Sequence, residues 1–98
     1  MNASVRITVL RRLLHKDLFE QHTECAWQPC ERLQEGQEFV CEGANMPAGF
    51  CSWAWADIHR DVAHLALGGN YHWMKEEGVM VSCCTDGLRP VIFKLERI

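Results

Sequence analysis

The sequence predicts an α+β domain in which about four mostly antiparallel strands form a sheet packed on one long helix. Three observations carry that prediction. Residues 50–67 place Cys51, Trp55, Ile58, Val62 and Leu65 at three- and four-residue steps and end in Gly68-Gly69-Asn70, a strong helix stop. Residues 4–10, SVRITVL, alternate Val5, Ile7 and Val9 against Arg6 and Thr8, the period of a half-buried strand. VMVSCC and VIFKLERI flank a short turn carrying Asp86-Gly87, which makes them a strand pair. At 98 residues the chain is one domain, 1–98.

The elements follow the order β-α-β-α-β-β. After the first strand, KDLFEQH (16–22) reads as a short helix, with Asp17 near the positive end of its dipole. TECAWQPCERLQEG (23–36) has Pro29, Gly36 and no period, so it reads as loop; QEFVCE (37–42) is a second strand. Gly43–Gly49 is a loop before the long helix, where Phe50, Ala54 and Ala66 widen the apolar stripe. Trp53, Asp57, Arg60, Asp61 and His64 fall toward the other side. NYHWMKEEG (70–78) is a loop, and the last two strands follow. Alternation along VMVSCC sends Cys83 with Val79 and Val81 toward the helix and Cys84 with Met80 and Ser82 to the far face, where a second layer or subunit would cover it.

Charge excludes one large class of function. The net charge is −3 and the basic residues are scattered, Arg11-Arg12 being the one adjacent pair, so no phosphate-tracking stripe forms and no nucleic-acid partner is expected. No stretch approaches the roughly 20 apolar residues that span a bilayer, and no membrane partner is expected. In MNASVRITVLRRLL the arginines follow the apolar run and no cleavage pattern appears, so it reads as no signal peptide. The expected location is the cytoplasm, where six cysteines stay mostly reduced.

Those cysteines, at 25, 30, 41, 51, 83 and 84, include no Cys-x-x-Cys, the spacing by which one tight turn aims two sulfurs at one point. Cys83 and Cys84 are neighbours on a strand, so their thiols point to opposite faces and a relaxed disulfide between them is excluded. Cys41 and Cys51 fit the pattern of small buried hydrophobes. Cys30 and Cys84 border turns, where backbone amides favour a reactive thiolate. His59 and His64 lie five residues apart on the helix and do not share a face.

Four tryptophans are many for this length. Trp55 belongs to the helix stripe and reads as core. Trp53, Trp73 and Trp27 read as pocket or interface candidates, against simple loop packing. Asp57, Asp86 and Arg89 are the polar candidates: Asp86 before Gly87 fits turn chemistry, and Arg89 either binds an anion in a fork or pairs with Asp86 or Asp57. No nucleotide-binding, nucleophile-elbow or zinc-protease motif is present.

EGQEF (35–39), MPAGFCSWAWADI (46–58), LALGGN (65–70), WMKE (73–76) and CCTDGLRPVIFK (83–94) together resemble a family of small uncharacterised bacterial and archaeal proteins of about this length. The resemblance covers nearly the whole chain and implies no particular activity. It implies that Cys30, Cys51, Cys83 and Cys84 sit at family positions and that Cys25, Cys41, His15, His22 and His59 do not; His72 stands where the family's loop would carry proline.

Two functional readings follow. The first is a thiol-centred site: Cys30, Cys51, Cys83 and Cys84 binding a soft metal, zinc or an iron–sulfur cluster, or Cys84 acting as a redox or nucleophilic thiol, with Cys84 and Asp57 as candidate catalytic residues. The second is a homo-oligomer that binds a small molecule between subunits, with Trp53, Trp73, Asp86 and Arg89 as ligand contacts beside Asp57. A plain interaction module is the third alternative.

Overall fold

The computed structural model describes residues 2–98. Its elements are β1 (Val5–Arg12), α1 (Lys16–His22), β2 (Glu38–Cys41), α2 (Ser52–Ala66), β3 (Val79–Cys83) and β4 (Val91–Arg97). One antiparallel sheet has the order β2-β1-β4-β3, with α2 across one face. The sequence-predicted α+β class and element order are those observed. No described helix is long and apolar enough to cross a membrane.

The inner sheet face follows from strand alternation. Val5, Ile7 and Val9 of β1 and Val91, Phe93 and Leu95 of β4 are buried against Ala54, Ile58, Val62, Leu65 and Ala66 of α2. Those helix positions recur over four turns as one apolar stripe, and their burial is the main force holding helix to sheet. Trp55 lies at the stripe's margin, half-buried, with its ring edge-on to Phe50 at 6.2 Å.

β1 runs farther than its alternation suggested because a bulge interrupts it. The register passes from Val9↔Phe93 to Arg11↔Ile92, leaving Leu10 unpaired. The extra residue shifts the alternation, so Arg12, opposite Val91, turns to the inner side. There its Nε donates to Glu35 Oε1 at 2.7 Å, its backbone N–H donates to Glu35 Oε2 at 3.0 Å, and its Nη1 donates to the Cys30 carbonyl at 2.9 Å. The Arg12 side-chain hydrogen bond leads the interactions that hold the Glu35 carboxyl below its usual range. One bulge thus anchors the otherwise irregular 23–36 segment.

Two sequence-based face assignments are corrected. On β3, Met80 pairs with Leu95 and Ser82 with Phe93, so Met80, Ser82 and Cys84 look toward the helix, while Val81 and Cys83 are exposed on the far face. The alternation was right and its phase inverted: side chains opposite in an antiparallel pair share a face, and β4 sets which one. The far face is also more polar than expected, carrying ion pairs of Glu96 with Arg6 at 3.6 Å and with Lys94 at 3.5 Å.

The second correction concerns Asp61, which is only 5% exposed. The Tyr71 hydroxyl donates to Asp61 Oδ1 at 2.6 Å. Burial and this neighbour push the Tyr71 phenol well above its ordinary value near 10. The folded state therefore favours the protonated phenol, and its contribution is full below about pH 10 and lost as pH rises beyond it. Tyr71 is the only tyrosine, so phenolate absorbance should rise together with loss of helical circular dichroism. A titration at the ordinary tyrosine value in still-folded protein would contradict this.

α2 stops through a Schellman motif: Gly69 N–H donates to the His64 carbonyl at 2.8 Å and Gly68 N–H to the Leu65 carbonyl at 3.0 Å. Gly68 takes φ +94°, which only glycine adopts cheaply, and a Cβ on Gly69 would stand 2.3 Å from the His64 ring.

Candidate functional site

Three distant parts of the chain meet beside the first turn of α2. The loop before the helix supplies Cys51, the helix supplies Trp53 and Asp57, the end of β3 and its turn supply Cys84, Thr85, Asp86 and Arg89, and the anchored loop supplies Cys30, Arg32 and Leu33. They line a cavity of about 720 Å³ whose apolar wall is Leu33, Ala54 and Val91.

Each sulfur is placed by backbone. Cys84 continues the β3–β4 ladder: its N–H donates to the Val91 carbonyl at 3.1 Å, and Val91 N–H donates to Cys84 Sγ at 3.2 Å. Cys51 is the extended N-cap residue of α2, and its carbonyl accepts from Trp55 N–H at 2.9 Å. Its side chain makes no capping bond and is left to the cavity. Cys30 is fixed through its carbonyl by Arg12. All three thiols are half-buried, sheltered yet reachable.

The charged residues divide into satisfied anions and under-used cations. Asp57 Oδ2 accepts the Thr85 N–H at 2.8 Å and Oδ1 accepts the Thr85 hydroxyl at 3.0 Å, which clamps the turn to the helix. Asp86 Oδ1 accepts the N–H groups of Leu88 and Arg89 at 3.0 and 3.1 Å, the turn chemistry expected of aspartate there. Burial raises the Asp86 carboxyl, but those two N–H donors and the Arg89 charge outweigh it and hold it below its usual value. Arg89 meets Asp86 only through Nε, at 3.5 Å. Arg32 has no carboxylate partner among the described residues. Free guanidinium donors beside carboxylates that are already hydrogen-bonded suit an anion.

Of the sequence-predicted site residues, the cavity gathers Cys30, Cys51, Cys84, Trp53, Asp57, Asp86 and Arg89. Cys83 faces away from it and Trp73 lies against a separate cleft. Trp27 is also elsewhere, under the Lys16 ammonium at 4.9 Å. Cys41 is sealed in the core, where burial pushes its thiol up to about 11. Among the described residues no three His, Cys, Asp or Glu side chains stand close enough to hold a metal ion, so the four-cysteine constellation is not assembled. Arg32, Leu33 and Thr85 were not singled out from sequence; the first two sit in a segment without periodicity, and the Asp57–Thr85 clamp joins residues 28 apart.

Fold and site define an α+β domain with a thiol-lined cavity at the N-terminal end of its main helix. Comparison with protein-family models, with curated proteins and with solved structures found no match.

Proposed function

We propose that this chain binds a small anionic organic molecule in the cavity, with the sulfurs of Cys30, Cys51 and Cys84 as its polarizable wall and Arg89 as its counter-ion. The observation that carries this is the convergence of three thiols from separate segments on one accessible cavity that also holds two guanidinium groups. Two blocks of the family resemblance, 46–58 and 83–94, supply most of its lining. The reading joins the thiol-centred and small-molecule alternatives. It needs no second subunit, since a single chain lines the cavity, and it places the protein in the cytoplasm, where the thiols stay reduced. Cys84 is the sulfur best held for contact with the ligand. Asp57 is a positioning residue in this reading, because both its oxygens are occupied by Thr85.

Thiol labelling tests it. In native protein Cys25 and Cys83, both exposed, should react first, Cys30, Cys51 and Cys84 more slowly, and Cys41 only on unfolding. A panel of small carboxylates and phosphate esters should include compounds that protect Cys30, Cys51 and Cys84 while leaving Cys83 unaffected. Trp53, 82% exposed at the rim, should report the same compounds by fluorescence. Arg89→Ala should abolish both responses, and Cys84→Ser should weaken them. If no anion protects the three selectively, or protection survives Arg89→Ala, the proposal fails.

A further inference from the structure

A second cleft lies farther along α2, and nothing in the thiol-lined cavity accounts for it. It is an open cleft of about 350 Å³ lined by Arg60, Asp61, His64, Tyr71, Trp73 and Met80. We propose that this cleft binds a small free organic ammonium ion, held by the Asp61 carboxylate and by the aromatic faces of Tyr71 and Trp73.

A nearly buried carboxylate is the first ground. Asp61 is 5% exposed, and its Oδ1 accepts the Tyr71 hydroxyl. No hydrogen bond among the described residues reaches its Oδ2, which is not fully sealed from solvent, and Asp61 lines the cleft. Carboxylates this sheltered ordinarily carry a paired cation, because desolvating an uncompensated charge is costly. The nearest cation is Arg60, whose Nε reaches only 4.0 Å from Oδ1 and whose side chain is otherwise in solvent. That contact leaves room for a better-placed charge.

The second ground is independent of the first. Tyr71 and Trp73 have ring centroids 5.0 Å apart with planes inclined at 49°, and His64 meets Tyr71 at 4.7 Å and 52°. The three rings are inclined to one another rather than stacked flat, and all three line the cleft. Aromatic rings attract cations through the negative potential of their faces, and an alkylated ammonium, poorly hydrated and unable to donate many hydrogen bonds, gains most from them. Trp73 is 60% exposed although its loop is otherwise tied down by Asn70, whose side-chain oxygen accepts the Gly78 N–H at 2.7 Å. An indole held in the open on a fixed loop is pre-organised for contact. Met80 closes the floor from β3.

The test uses the full chain, with choline as probe and its uncharged carbon isostere, dimethylbutanol, as comparison, at matched ionic strength. The readout is the Trp73 indole N–H resonance, assigned by its loss in Trp73→Phe. Choline should shift it saturably and dimethylbutanol should not. Trp73→Ala, at an exposed site, and Asp61→Asn should each weaken choline binding by roughly tenfold or more, followed on another resonance of the cleft. Arg60→Gln, which removes the competing cation, should tighten it. No saturable shift, equal binding of the neutral isostere, or unchanged affinity in folded Trp73→Ala would each overturn the proposal.

Discussion

Phe93→Ala should destabilise the domain by about 3–5 kcal/mol, the largest effect expected of any single substitution here. Phe93 is fully buried in the middle of β4, a central strand bonded to both β1 and β3. Its ring packs on Phe50 at 5.5 Å, and Phe50 in turn meets Phe39 at 5.0 Å and Trp55 at 6.2 Å. Removing it opens a void that the flanking strands, fixed by ladder hydrogen bonds, cannot close. For a chain of this size total stability is on the order of 5–15 kcal/mol, so about a fifth or more would be lost. Urea unfolding followed by circular dichroism measures it, with an unchanged m-value showing that stability alone moved. Phe93→Leu should cost much less, and Phe50→Ala combined with Phe93→Ala should cost less than the sum, because the second deletion removes atoms already facing a void. A Phe93→Ala loss below about 1 kcal/mol would show that this aromatic cluster is not the packing centre.

The same aromatic cluster explains what could be read in the sequence. Periodicity is a local signal, and it was sufficient for β4, where Val91, Phe93 and Leu95 alternate cleanly, and for α2, where Ile58, Val62 and Leu65 mark the buried side. It cannot say which of two faces of a strand meets the helix. VMVSCC carries apolar residues at nearly every position, so its alternation has two equally good phases, and only the pairing of Ser82 with Phe93 chooses between them. The bulge at Leu10 was equally hidden, because its cause is the register against β4. Yet that bulge aims Arg12 and so fixes Cys30. A site feature was therefore decided by a pairing detail that no window of sequence contains.

The polar side of α2 shows the same limit from another direction. Trp53, Asp57, Asp61 and His64 read as the side away from the core. Trp53 and Asp57 line the first cavity, while Asp61 and His64 line the second. The stripe overhangs β3, whose inward Met80, and Cys84 just past its end, form part of the two linings. A small domain with little interior thus gains two concave surfaces by laying a partly polar helix face over an edge strand. In the sequence, polar residues meant for solvent and polar residues meant for a cleft have the same spacing.

Arg97→Ala is expected to cost about 2–4 kcal/mol, far beyond the usual effect of a strand-end charge. Val5 stands opposite Arg97, so this side chain lies on the inner face, one step past Leu95 and beneath the end of α2. Its Nη1 donates to the Leu65 carbonyl at 3.1 Å and to the Gly69 carbonyl at 2.7 Å, and its Nη2 donates to Asn70 Oδ1 at 2.7 Å. These acceptors include the Leu65 carbonyl, which already takes the Gly68 N–H, and the Gly69 carbonyl just past the helix, so the guanidinium adds donors at the helix end and offsets the negative end of the dipole. Asn70 Oδ1 also accepts the Gly78 N–H, so the one arginine ties α2, the 70–78 loop and β4 together. Alanine would leave the Gly69 carbonyl without a donor and take one of two bonds from the Leu65 carbonyl and from Asn70 Oδ1, and an acceptor left unmade costs more than its bond was worth. Arg97→Lys should recover only part of the loss, since an ammonium lacks the planar fork that reaches two carbonyls and an amide at once. Chemical denaturation gives the magnitude, and hydrogen exchange gives the place: the Gly78 amide should exchange faster in both variants, while amides at the start of α2 speed up by no more than the factor that the loss of global stability sets. Stability within about 0.5 kcal/mol of the parent in Arg97→Ala would mean that water caps the helix as well as the arginine does.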